Sequence, residues 1–179
     1  MLSWPRADSH RAADAAQPAV AAGAIDRSDV HADTEGHKFG CDDMNVDGTC
    51  HCGKVTYQAE INPSHVVICH CTDCQTFSSA PYRVSVVNVR PEDFRLNGAP
   101  KIYIKTGGSG RKIQVAFCGD CGSALYSTSA ETPGPLNLRI GAIKQRRELV
   151  PKAQGLCGSA MSWAMNIDGI RKLPDPARS

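Results

Sequence analysis

Cys50-His51-Cys52-Gly53, Cys69-His70-Cys71-Thr72-Asp73-Cys74 and Cys118-Gly119-Asp120-Cys121-Gly122 are the stretches on which the fold turns. They hold seven of the nine cysteines. Cys50 and Cys52 are separated by one residue, as are Cys69 and Cys71, a spacing that rarely meets disulfide geometry but lets two sulfurs face one metal. Zinc takes four ligands in a tetrahedron, and thiolates suit it. Each two-sulfur knuckle needs a tight turn, which Gly53, Gly119 and Gly122 supply, so that amide N–H groups can face the sulfurs. Four plus three is the natural division. Cys50, Cys52, Cys118 and Cys121 then close one structural zinc site, and Cys69, Cys71 and Cys74 cap a second zinc with one position left open. Spacing alone leaves another division open, in which the middle group joins one outer pair and the other pair is idle.

Outward from the cysteines, short alternating runs lie between turn residues, the pattern of an antiparallel sheet. Lys54–Gln58, Val66–Ile68, Tyr82–Val89, Ile102–Ile104, Ile113–Phe117 and Leu136–Ile140 read as strands. Asn97-Gly98 marks a turn, and Gly107–Gly110 a loop tip without the Lys-Ser/Thr ending of a phosphate-binding loop. Cys157–Met165 is the best short helical stretch. The fold class expected is mainly β.

Residues 1–45 are rich in Ala, Asp, His and Ser and read as a disordered or loosely attached tail, with the zinc-binding domain at 46–179. His10, His31 and His37 are solvated tail residues, and Cys41 is a tail thiol. The segment Ala12–Ile25 lacks the apolar core of a signal peptide, and its acids argue against a transit peptide. The net charge of +2 is spread along the chain, which predicts no nucleic-acid partner. No apolar run reaches the roughly 20 residues of a membrane span. Free thiols and no export segment predict a reducing, cytoplasmic setting.

Three stretches resemble the glutathione-dependent formaldehyde-activating enzymes, a family that includes centromere protein V–like proteins: Gly48–Tyr57, Cys69–Gln75 and Phe117–Ser123. Ser162-Trp163 looks like the family's C-terminal tryptophan segment, and the likeness spans about Asp47 to Pro174. It implies a β-tent, a zinc-bearing β-sheet fold with zinc knuckles. It also implies structural ligands at Cys50, Cys52, Cys118 and Cys121 and catalytic-zinc ligands at Cys69, Cys71 and Cys74, two zinc ions per chain. Ser79 stands where many members carry glycine.

The activity so implied is a carbon–sulfur lyase or synthase acting on a glutathione-like thiol, such as S-hydroxymethylglutathione formation from formaldehyde and glutathione. The alternatives are a lyase cleaving other glutathione adducts in specialised metabolism, and a non-catalytic zinc interaction module; a homo-oligomer is allowed by either. Three thiolates lower the metal's Lewis acidity and predict a labile second zinc. His70 and His51 adjoin ligands and are candidate proton shuttles, against the ordinary reading that each points away from its knuckle and is partly exposed. Asp73 is a candidate to hold a turn amide or a substrate ammonium group. Arg83 and Arg111 are candidates for substrate carboxylates. Cys157 reads as a small apolar residue, and Trp163 as core or pocket wall.

Overall fold

The structure, a computed structural model, describes residues 43–175. Residues 1–42 of the tail, with His10, His31, His37 and Cys41, lie outside it. Two sheets carry the fold, the smaller antiparallel and the larger antiparallel but for one edge pair. The smaller has the order β1-β2-β5, from β1 (Met44–Thr49), β2 (Thr56–Ile61) and β5 (Phe94–Asn97). The larger comprises β3 (Val66–Cys69), β4 (Arg83–Val89), β6 (Lys101–Thr106), β7 (Lys112–Phe117), β8 (Ala124–Ser129), β9 (Leu136–Arg139) and β10 (Ala153–Gly155), in the order β10-β3-β4-β9-β8-β7-β6. Only the β10–β3 pair is parallel. One α-helix, α1 (Thr72–Ser78), follows β3. The mainly β expectation is met.

Period-two alternation explains the core. In β2, Tyr57, Ala59 and Ile61 are buried while Gln58 is exposed. These side chains and Val46 of β1 join Val86, Leu125 and Leu138 of the larger sheet in one apolar cluster. Each such aliphatic side chain stabilises the fold by about 1.5–3 kcal/mol when fully buried. Gly48 faces Tyr57 across β1–β2. A Cβ there would stand 2.0 Å from Tyr57 Cζ, so the ring occupies the space a side chain would need.

Several elements differ from the sequence reading. The strand expected from Lys54 starts at Thr56, because Val55 is used by the cysteine turn before it: Cys50 N–H donates to Val55 C=O at 2.9 Å. The helix expected at Cys157–Met165 is two short 3-10 turns, Cys157–Ser159 and Ser162–Met165. Cys157 is exposed rather than packed as a small apolar residue. Trp163 is 55% exposed and is not part of the core. Strands β1, β5, β8 and β10 and helix α1 are additions, and β1 begins at Met44, within the segment the sequence assigns to the tail.

Candidate metal centres

The first centre is built from two knuckles of similar construction. After β1, Gly53 N–H donates to Cys50 C=O at 3.1 Å, and Val55 N–H lies 3.3 Å from Cys50 Sγ. After β7, Cys118 N–H donates to Ser123 C=O at 2.9 Å and Gly122 N–H to Cys118 C=O at 2.9 Å. The first cysteine of each knuckle thus bonds the residue five positions on. Gly53 and Gly122 sit at φ 79° and 73°, the left-handed region that glycine enters without Cβ strain. Ser123 joins the knuckles: its Oγ accepts from His51 N–H at 3.0 Å and lies 3.3 Å from Cys121 Sγ. An exposed ion pair, Lys54 Nζ to Asp120 at 3.3 Å, spans them outside; water and salt screen such a pair, so it adds little to stability.

The four sulfurs of Cys50, Cys52, Cys118 and Cys121 lie within 4.8 Å of one another. Cys50 and Cys52 Sγ are 3.5 Å apart, and Cys52 and Cys118 Sγ 3.7 Å. A tetrahedron with zinc–sulfur bonds of about 2.3 Å has edges of about 3.8 Å, so the donor set fits zinc. Crowding drives the thiols apart in acidity. The Ser123 hydroxyl, then the Ser123 and Cys52 N–H groups, bring Cys121 down to about 5. Lys54 N–H favours the Cys52 thiolate, yet burial and the three neighbouring sulfurs push Cys52 up to about 12.

The second centre lies where β3 passes into α1. Cys69, Cys71 and Cys74 bring their sulfurs within 4.8 Å of one another, with Cys69 and Cys71 Sγ 3.6 Å apart. Cys71 is the N-cap of α1, and its Sγ accepts from Cys74 N–H at 3.4 Å. The helix is short because its function is local: it turns Cys74 back onto the sulfurs that precede it. Burial raises the Cys71 thiol, but Cys74, Cys69 and Arg83 outweigh it and the net direction is down. Burial, followed by the Cys71 and Cys69 sulfurs, pushes Cys74 up. Two cysteine clusters can therefore hold metal ions, and among the described residues no cysteine is in a disulfide.

His70 is 1% exposed, with Nε2 3.1 Å from Gln154 Oε1 of β10 and its ring edge-on to Tyr82. The ordinary reading of a partly exposed side chain fails for it, because β10 covers it: His70 N–H donates to Gly155 C=O at 3.1 Å. His51 is exposed. Asp73, in the first turn of α1, pairs with Lys105 of β6. Arg111 is exposed beside the Gly107–Gly110 turn, away from both centres' cavities, with Nε 3.4 Å from Ser109 Oγ.

Arg83 is opposite Cys69 on the β3–β4 ladder, and Arg139 is opposite Ser85 on β4–β9. Facing residues of a ladder share a side, so Cys69, Arg83, Ser85 and Arg139 share one face. Arg139 Nη1 donates to Ser85 Oγ at 3.0 Å. Burial, and after it nearby Arg83, push the Arg139 guanidinium down to about 9 against the opposing pull of Cys74 and Cys69; it stays charged at neutral pH. The sequence reading missed Arg139, Ser123 and Gln154. The signal for Ser123 was its place in the Cys118–Ser123 stretch, one residue beyond the knuckle.

The profile of the glutathione-dependent formaldehyde-activating enzymes matches residues 45–159, more than half of the chain. The chain belongs to that family. No curated protein matches it. Among solved structures, a crystal structure of a Rhodobacter sphaeroides protein is similar at 21% identity and a TM-score of 0.48, over 61% of this chain and 99% of that one. The departure of this chain at Ser79 acquires a physical meaning within the family. Ser79 closes α1 at φ 50° and ψ 38°, the conformation for which glycine is the usual helix terminator. Serine holds the turn at a conformational cost, and the helix end survives.

Among the described residues no helix is long and apolar enough to cross a membrane.

Proposed function

We propose that the chain is a zinc-dependent carbon–sulfur lyase or synthase acting on glutathione-type thiols, with S-hydroxymethylglutathione formation from formaldehyde and glutathione as the reference reaction. The observation that carries this reading is the three-sulfur cluster of Cys69, Cys71 and Cys74, separate from a four-sulfur cluster in the same family domain. Cys50, Cys52, Cys118 and Cys121 hold a structural zinc that cross-links the ends of β1 and β7, and its binding energy counts toward folding. Cys69, Cys71 and Cys74 hold the second. When bound there, zinc supplies a fourth position at which a thiol loses its proton.

The remaining roles belong to this chain's residues. The substrate thiolate forms a bond to the aldehyde carbon, the carbonyl π pair moves to oxygen, and that oxygen gains a proton; no electrons are gained or lost overall. In reverse, the carbon–sulfur bond breaks and the thiolate leaves. The cysteines position and do not attack. His70, held by Gln154, and Asp73, held by Lys105, act here as positioning residues: His70 fixes the backbone between Cys69 and Cys71, and Asp73 ties α1 to β6. Free thiols throughout the described residues support a reducing, cytoplasmic setting.

The test is exchange spectroscopy on ¹³C-formaldehyde and glutathione with zinc-loaded protein. The reading expects faster exchange between free and thiol-bound carbon, lost in Cys71→Ser. Exchange no faster than in buffer would contradict it, and would favour a binding module.

A further inference from the structure

Arg83 and Arg139 line a cavity of about 720 Å³, which also reaches Cys50 and His51 of the first centre. Lys144 and Arg146 line it as well, and none of its lining residues is an aspartate or glutamate. Arg83 also lines a second cavity, of about 360 Å³, with Cys69. Arg83 therefore stands between the three-cysteine cluster and the larger cavity.

Both arginines lack acidic partners. Arg139 is 5% exposed, bonds Ser85 through Nη1, and leaves Nη2 buried with no partner. Arg83 Nε is likewise buried and without a partner. Among the described residues, neither forms a salt bridge. A buried, incompletely bonded guanidinium costs several kcal/mol unless a counter-charge satisfies it. The neighbouring thiolates supply part of that charge. Three thiolates around a divalent ion leave one net negative charge against two guanidinium groups, so one positive charge is uncompensated.

We infer that Arg83 and Arg139 bind a carboxylate of the substrate, so that this site selects acidic thiols over neutral ones. The inference rests on the reading that a thiol enters the Cys69, Cys71 and Cys74 centre. The dimensions agree. Cys69 on β3 and Arg139 on β9 are two strand spacings apart and offset by two residues along β4, about 12 Å between backbones, which a short peptide thiol spans with its sulfur at one end and a carboxylate at the other. Guanidinium forks suit that carboxylate, and each charge-assisted bond contributes more than a neutral one.

The experiment titrates zinc-loaded protein with S-methylglutathione, which keeps both carboxylates and has no free thiol, and with its diethyl ester, which has neither carboxylate. Calorimetry is expected to show the acid binding at least tenfold more tightly than the ester. In Arg83→Gln, with circular dichroism unchanged, S-methylglutathione is expected to bind at least tenfold more weakly. Equal binding of acid and ester to the natural protein would overturn the assignment without any variant having to fold. Undiminished binding in Arg83→Gln would overturn it too, placing any preference for the acid on Lys144 and Arg146 at the rim. Cobalt-loaded protein and glutathione, an acidic thiol, separate this from the underlying reading. A thiolate charge-transfer band that fails to respond would overturn the thiol chemistry, whereas loss of ester discrimination overturns the arginine assignment alone.

Discussion

Ser123 Oγ accepts a hydrogen bond from His51 N–H at 3.0 Å, across 72 positions of sequence. This bond clamps the Cys50 knuckle to the Cys118 knuckle, and the same oxygen faces Cys121 Sγ. Ser123→Ala therefore removes a bond between the knuckles and a donor to a ligand sulfur. A hydrogen bond of this kind contributes about 0.5–1.5 kcal/mol. Urea unfolding should show a loss of that size, and a chromophoric chelator should extract the tightly held metal faster than from the natural protein.

Gly48 and Tyr57 make a second prediction. The Cβ of Gly48→Ala would meet the buried Tyr57 ring at 2.0 Å. Overpacking of this kind costs about 1–3 kcal/mol. Thermal unfolding should move down accordingly, with both metals still bound. An unchanged midpoint would mean that the ring swings aside at no cost.

At Ser79 the change runs the other way. Its φ of 50° favours glycine. Ser79→Gly should raise stability by about 0.5–1 kcal/mol in urea unfolding.

The pH dependence of the metal-free protein follows from the thiols. The Ser123 hydroxyl and N–H bring the folded Cys121 thiol down to about 5, against 9.0 for an ordinary cysteine. The unfolded state binds the proton more tightly, so stability from this group is full above about pH 9 and is lost as the pH falls toward 5. Cys52 is shifted the opposite way, to about 12 from 9.0. There the native state keeps its proton longer, so stability falls as the pH rises from 9 to 12. Chemical unfolding of chelator-treated protein should give a maximum near pH 9. Metal binding, which displaces thiol protons, should weaken on acidification.

The cysteines within each knuckle were legible because ligands three or fewer positions apart share one turn, a local property, whereas the joining of Cys52 to Cys118 across 66 positions followed from the family resemblance and not from spacing. The six strands read from alternation were legible for the same local reason. Helix α1 was not. Seven residues hold too few turns to display a helical period, and Thr72–Ser78 owes its shape to Cys71 capping Cys74. Strand β8 runs Ala-Leu-Tyr-Ser-Thr-Ser, and its polar end looks like a loop although Ser127 is buried. Strand β10 is three residues long and paired in parallel to β3, a contact no local pattern announces. Arg139 falls on the polar side of the Leu136, Leu138 alternation, which implies exposure. It is nonetheless 5% exposed and bonded to Ser85 of the neighbouring strand, a long-range packing that sequence spacing does not encode.

If one centre holds the fold and the other the chemistry, the two should respond differently to loss of a ligand. Zinc content by atomic emission, beside circular dichroism, is to be measured on natural protein, Cys71→Ser and Cys118→Ser. Two zinc ions are expected per natural chain, matching the two clusters, one in a fully folded Cys71→Ser, and a disordered Cys118→Ser. A Cys71→Ser protein that keeps both ions, or a Cys118→Ser protein that folds as well as the natural chain, would refute this division of roles.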